Sequence, residues 1–106
     1  MAANSLQIEE TLKRIQQQKG VEGYIISDEV GNVLRTTFSD ESEKDLVTKL
    51  SSELPALAER ASSAVRDLDP TNMMRFVRVQ TRKKELMISK DQGFVLMVVQ
   101  GTVSPE

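Results

Sequence analysis

Neither cysteine nor histidine occurs anywhere in the 106 residues. The lack of cysteine excludes disulfides and thiolate metal sites and fits a reducing compartment. With histidine also missing, the chain lacks the commonest general base, the commonest metal ligand and the most reactive nucleophile, so few catalytic mechanisms remain. Glycine is scarce, and Gly20, Gly23, Gly31, Gly93 and Gly101 match neither a P-loop nor a dinucleotide fingerprint. No Gly-Lys-Ser/Thr occurs, and no glycine triplet opens a helix. No segment approaches the roughly 18 to 20 apolar residues that span a bilayer. The start, Met-Ala-Ala-Asn-Ser-Leu, has neither the charged beginning nor the apolar stretch of a signal peptide, so a soluble intracellular protein is expected. Neither sign of charge dominates: fourteen Lys and Arg face sixteen Asp and Glu, a net charge of −2. No long-range field draws the molecule to nucleic acid or to an anionic membrane, and neither is expected as a partner.

Apolar residues at 39% and charged residues at 28% are ordinary globular composition. The length suits one domain over residues 1–106, with 1–4 and 101–106 as loose termini. Asn4 or Ser5 is placed to cap a first helix, whose Leu6, Ile8, Leu12 and Ile15 recur at helical spacing and which Gly20 is suited to end. Val21 to Ser27 and Val33 to Phe38 read as a hairpin around the turn Asp28–Asn32. Asp40 and Glu43 have the spacing of a capping box, which opens a long helix ending near Leu68. Inside that helix, Pro55 predicts a kink or a fresh start. Asp69-Pro70 closes it, since the residue before proline avoids helical geometry. Three further strands follow as a meander, Met73 to Gln80, Glu85 to Ser89 and Phe94 to Gln100.

Phe94-Val95-Leu96-Met97-Val98-Val99 is apolar without alternation, so both faces of that strand need cover. The reading is an α/β (α+β) fold: helix, two-strand hairpin, long helix, three-strand meander. It makes a five-stranded, mainly antiparallel sheet with its two helices on opposite faces.

Candidate chemical groups are few. The carboxylate pairs Glu9-Glu10, Asp28-Glu29 and Asp67/Asp69 sit on polar faces or element ends, where capping and solvation explain them. No catalytic residue, cofactor or metal is expected. Arg75, Arg78, Arg82, Lys83, Lys84 and Lys90 cluster within sixteen residues. Edge-strand positive charge guards against unwanted pairing, and Phe76 alone is no stacking platform for nucleic acid.

Geometry points elsewhere. A helix from Glu41 to Leu68 would be about 42 Å long, against a radius of gyration of about 13 Å for a globule of this size. It would overhang its sheet, unless Pro55 splits it into two ordinary helices. The strand after it falls at a sheet edge and carries Met74, Phe76, Val77 and Val79. A two-fold axis pairing that edge with its copy would extend one sheet across two subunits and set the long helices side by side.

Beyond this, the sequence resembles the roadblock family of dynein light chains. The resemblance lies in Glu9-Glu10-Thr11-Leu12-Lys13-Arg14-Ile15, Gln18-Lys19-Gly20-Val21 and Gly23. It continues in Val65-Arg66-Asp67-Leu68-Asp69-Pro70 with Asn72, Phe76, Arg78, Lys84, Glu85 and Met87, and so covers roughly Glu9 to Gln100. It implies a non-catalytic homodimer built through the second helix and third strand. Ala58, Ala61, Ser62 and Val65 would line the helix part of that contact, and Met74, Phe76 and Arg78 the strand part. It further implies a light chain that binds a segment of the dynein intermediate chain beside other dynein light chains. Such a chain would work in motor assembly and cargo attachment on microtubules, in the cytoplasm and cytoskeleton or the ciliary axoneme. Related domains of the wider roadblock group bind small GTPases or scaffold their regulators, which is the alternative reading.

Overall fold

A computed structural model describes residues 10, 12–15, 17, 18 and 20–101. The proposed caps Asn4 and Ser5, the apolar Leu6 and Ile8, and the termini 1–4 and 102–106 lie outside the described residues. Helix α1 is seen at residues 10, 12–15 and 17. It ends where expected: Gly20 adopts φ +93°, a left-handed conformation that costs glycine little.

Strands β1 (Val21–Asp28) and β2 (Val33–Thr36) form the hairpin. Its turn is fixed by the Asp28 carboxylate, which accepts the backbone N–H groups of Val30 (3.1 Å) and Asn32 (2.8 Å) and the Asn32 side-chain amide (2.8 Å). β2 stops two residues short of Phe38, where the Thr37 N–H still donates to the Tyr24 carbonyl at 3.1 Å but the returning Tyr24 N–H goes to a threonine hydroxyl instead of the backbone. Thr37 Oγ1 accepts the Tyr24 N–H, while Thr36 Oγ1 donates to the Tyr24 carbonyl and accepts the Phe38 N–H. Phe38 then turns into the core.

The capping box forms, with the Glu43 carboxylate reaching back to the Asp40 N–H at 3.4 Å. It opens a 3-10 turn over Glu41–Glu43 before the long helix α2 (Lys44–Leu68) begins. Pro55 lies inside α2 without splitting it. Having no N–H, it leaves the Ser51 carbonyl without its usual donor. The hairpin turn packs against that oxygen: a Cβ built on Gly31 would sit 2.6 Å from it.

Strands β3 (Val77–Gln80), β4 (Lys84–Asp91) and β5 (Phe94–Gly101) complete one five-stranded sheet in the order β2-β1-β5-β4-β3, antiparallel at every junction. Gly101 is not loose: it ends β5, and its N–H donates to the Gly20 carbonyl at 2.9 Å. The expected strand from Met73 begins only at Val77. Met74 packs into the same core face as Val77 and Val79, and residues three apart cannot share a face in regular extended backbone.

The helices cover opposite faces, as the unbroken apolar run of β5 requires. Val95, Met97 and Val99 join Ile25, Ile88, Phe38, Leu54 and Ala58 under α2. Leu96 and Val98 join Tyr24, Ile26 and Met87 under Leu12 and Ile15 of α1.

Candidate interaction surface

Among the described residues, no three of Asp, Glu, His or Cys gather in a way that could hold a metal ion. No described helix is long and apolar enough to cross a membrane. Among the described residues, the carboxylates that depart from their ordinary values all shift downward, held ionised by donors. The Asn32 side chain first, then backbone N–H groups, lowers Asp28. Lys90, then Arg66, lowers Glu59, and the Thr71 hydroxyl and N–H lower Asp69. A general acid at neutral pH needs the opposite shift.

The basic cluster is largely consumed within the fold. Arg78 Nε lies 3.2 Å from the Glu85 carboxylate, Lys84 pairs with Glu22 of β1, and Lys90 with Glu59 of α2. The two lysines tie β4 to β1 and to α2, while Arg78 joins β3 to β4 within the hairpin.

What remains is apolar surface, and α2 carries much of it. Over its first part, Val47, Leu50, Leu54 and Ala58 pack on the sheet, and Ala58 is fully buried. From Glu59 to Leu68 no residue of α2 is buried. The helix, about 37 Å long at ~1.5 Å per residue, therefore runs the full width of a molecule measuring 40 × 39 × 24 Å.

Residues expected at a shared surface thus divide. Ala61, Ser62 and Val65 are half-buried and continue the core-facing side of the helix past the last buried residue. Ala58 leaves no atom for a partner. On the approach to β3 and on β3 itself, Phe76 and Arg78 are exposed together, with the guanidinium carbon 5.7 Å from the centre of the Phe76 ring. Met74 parts from them and turns toward the core.

Sequence reasoning missed Leu46, Leu57, Leu68 and Met73 as surface residues, all of them exposed. The signal for three of them was available: Leu46, Leu57 and Leu68 are spaced by eleven residues, close to three helical turns, and so share one side of α2. Leu68 is 88% exposed and Met73 77%, bracketing the connection from the helix to β3.

A helix-flanked antiparallel sheet in this order, with an overlong second helix, can be set beside known proteins. The family model for the Roadblock/LC7 domain matches residues 7–101. The chain belongs to the Roadblock/LC7 domain family. Solved roadblock structures share its fold. A Roadblock/LC7 domain from Streptomyces avermitilis superposes with a TM-score of 0.71 at 19% identity, covering 87% of this chain and 73% of that one. The gliding protein MglB of Thermus thermophilus gives 0.67 at 17% identity, with 91% and 72% covered. MglC of Myxococcus xanthus gives 0.58 at 15%, with 89% and 77% covered. At such identities the likeness speaks for the roadblock fold alone.

Proposed function

We propose that this roadblock domain is a non-catalytic docking module whose working unit is a pair of copies. The observation that carries the reading is the juxtaposition of two unsheltered surfaces. The α2 segment from Glu59 onward has no buried residue and exposes Leu68, and the connection after it leads to the open sheet edge β3. A two-fold axis perpendicular to the sheet would join β3 to its copy and bring the two α2 helices side by side, covering Ala61, Ser62 and Val65. Arg78 suits such a seam because Glu85 already offsets its charge.

For the client, two readings have support. The motifs from Glu9 to Ile15 and from Val65 to Pro70 favour a light chain of dynein that holds an intermediate-chain segment, in the cytoplasm or an axoneme. The solved neighbours named above are bacterial proteins, two of them Mgl proteins, and they weigh toward the alternative, a scaffold or regulator of a small GTPase. Light scattering on the purified chain tests the pair: a well-folded single copy at tens of micromolar overturns it. Affinity capture from extract separates the clients. Recovery of intermediate chains with other dynein light chains supports the first; nucleotide-dependent recovery of a small GTPase alone supports the second.

A further inference from the structure

Helix α2 has one side fixed to its own subunit and another left bare. Gly31, in the β1–β2 turn, approaches the Ser51 carbonyl, and Glu59 pairs with Lys90 beside the β4–β5 turn. Both turns lie at one end of the sheet, because Asp28 and Asp91 both face Phe94. Ser51 and Glu59, two four-residue steps apart, thus mark the side of the helix nearest that end. Roughly opposite lie Leu57, Ala61, Ala64 and Leu68, at spacings of four, three and four. Leu57 is 41% exposed, Leu68 88%, Ala64 is exposed and Ala61 half-buried. Along the flank of this stripe that points away from buried Leu54 and Ala58 stand Arg60 and Asp67. Both are exposed, and neither has an ion pair among the described residues.

The stripe reads the same from either end. The midpoint of Leu57 and Leu68 falls between Ser62 and Ser63, and so does that of Ala61 and Ala64; Arg60 and Asp67 change sign about a point one residue further on. Strand spacing brings the two-fold axis to the same place independently. From Ser51 at the β1–β2 turn to Glu59 over β4, the helix crosses the strands. An axis beside β3 lies one and a half spacings past β4, about 7 Å at ~4.8 Å each, or about five residues of helix at ~1.5 Å per residue, which is Ala64.

Resting on the paired sheet argued above, we infer that this side of α2 is self-complementary and selects a second copy of the same chain. Leu57 packs against the partner's Leu68, Ala61 against the partner's Ala64, and Arg60 stands beside the partner's Asp67. A two-fold axis perpendicular to the sheet reverses the helix, so antiparallel packing follows from symmetry. The alanines let the two axes come close, the leucines close both ends, and the ion pair occurs twice. Other charges of α2 do not upset this pattern. Glu59 and Arg66 are paired with each other on the far side, Glu59 with Lys90 as well. Lys49 and Glu53, earlier on the flank of Arg60, fall beyond the partner's last helical residue, Leu68, where Asp69 is held by Thr71. A foreign helix would need an acid and a base seven residues apart, in reverse order, beside a matching apolar stripe; the chain itself supplies them.

Charge exchange on the full chain tests it. Arg60→Glu and Asp67→Arg, measured singly by sedimentation equilibrium at low salt, should each pair about tenfold more weakly than the unaltered chain, because symmetry places every like-charge contact twice. An equimolar mixture of the two should recover the original affinity. There the introduced carboxylate of one chain meets the introduced guanidinium of the other, while the Asp67 and Arg60 left in place meet each other. Both positions are exposed, so the unfolding midpoints of the dissociated chains should not move. Single variants that pair like the unaltered chain, or a mixture no tighter than its components, overturn the inference. The absence of cysteine allows a second measurement by oxidation. Leu57→Cys mixed with Leu68→Cys should give a covalently linked pair, whereas Leu57→Cys alone should not, its two copies being about 16 Å apart along the seam. Equal linking of Leu57→Cys alone would rule out this register. Light scattering on the unaltered chain keeps the two ideas apart: a single copy defeats the pairing, whereas a pair indifferent to charge exchange defeats only the self-complementary helix.

Discussion

The two ends of α2 obey one periodicity and meet opposite fates. Up to Ala58, the inward positions pack on the sheet and include every buried residue of the helix; beyond it, Ala61, Ser62 and Val65 hold the same side of the helix but are only half-buried. The first end is tied down by tertiary packing and the second by little more than helix continuity, so damage to each should read out differently. In the first, stability should suffer; in the second, association.

The hardest blow to the packed end is Leu54→Ala. Leu54 is 8% exposed within the α2-side core, and truncation there removes transfer energy and leaves a cavity. A loss of about 2–5 kcal/mol in chemical denaturation is expected. A loss under about 1 kcal/mol would mean that this stretch of α2 is not anchored as described.

At the free end, Ala61→Glu should leave the midpoint of unfolding nearly unchanged in the dissociated chain yet abolish pairing. A carboxylate pressed against its symmetry mate without a partner costs several kcal/mol, more than a modest interface can absorb. Sedimentation equilibrium reads the result directly: a soluble Ala61→Glu pair would place the contact elsewhere, and an unfolded variant would show that this end is core after all.

Much of this contrast could be read from the residues. The unbroken run from Phe94 to Val99 demanded cover on both faces, and two helices were available to supply it. Gly20 and Asp69-Pro70 marked helix ends because their backbone chemistry is local. What could not be read depended on partners distant in sequence. Ala58 and Ala61 look alike as letters, and only the core cluster that Ala58 joins separates them. Met74, Phe76 and Arg78 alternate as if in one strand, but Met74 reaches the core under α2 and the ladder starts late. Thr36 and Thr37 truncated β2 by bonding across to Tyr24, an event that strand propensity does not encode.

A smaller effect probes how the packed end of α2 is held against the hairpin. Gly31→Ala must place a methyl 2.6 Å from the Ser51 carbonyl oxygen, and its φ of +102° already disfavours any side chain. The hairpin turn or the helix must shift, at a cost of roughly 1–3 kcal/mol. Hydrogen exchange should localise the loosening to residues near Asp28–Asn32 and the middle of α2; protection unchanged at both would remove the contact between them from the account.

The smallest effect belongs to the point where the two ends of α2 meet. Glu59, the first residue after Ala58, pairs with Lys90 of β4 and with Arg66 further along the helix, and Arg66 also donates to the Ser62 hydroxyl at 3.1 Å. Lys90 first, then Arg66, lowers the Glu59 carboxyl below its ordinary value of 4.5. A folded-state value below the unfolded one means that the pair's stabilisation is present at neutral pH and fades as pH falls below about 4.5 toward the folded value. The site is solvated, so the contribution is slight. Glu59→Gln should therefore change the unfolding midpoint less than any substitution above, and should flatten its fall below about pH 4.5 only marginally. If instead Glu59→Gln weakened pairing as strongly as Ala61→Glu, the ion pairs would be setting the angle at which the free end of α2 leaves the sheet, and helix continuity alone would no longer explain where that end points.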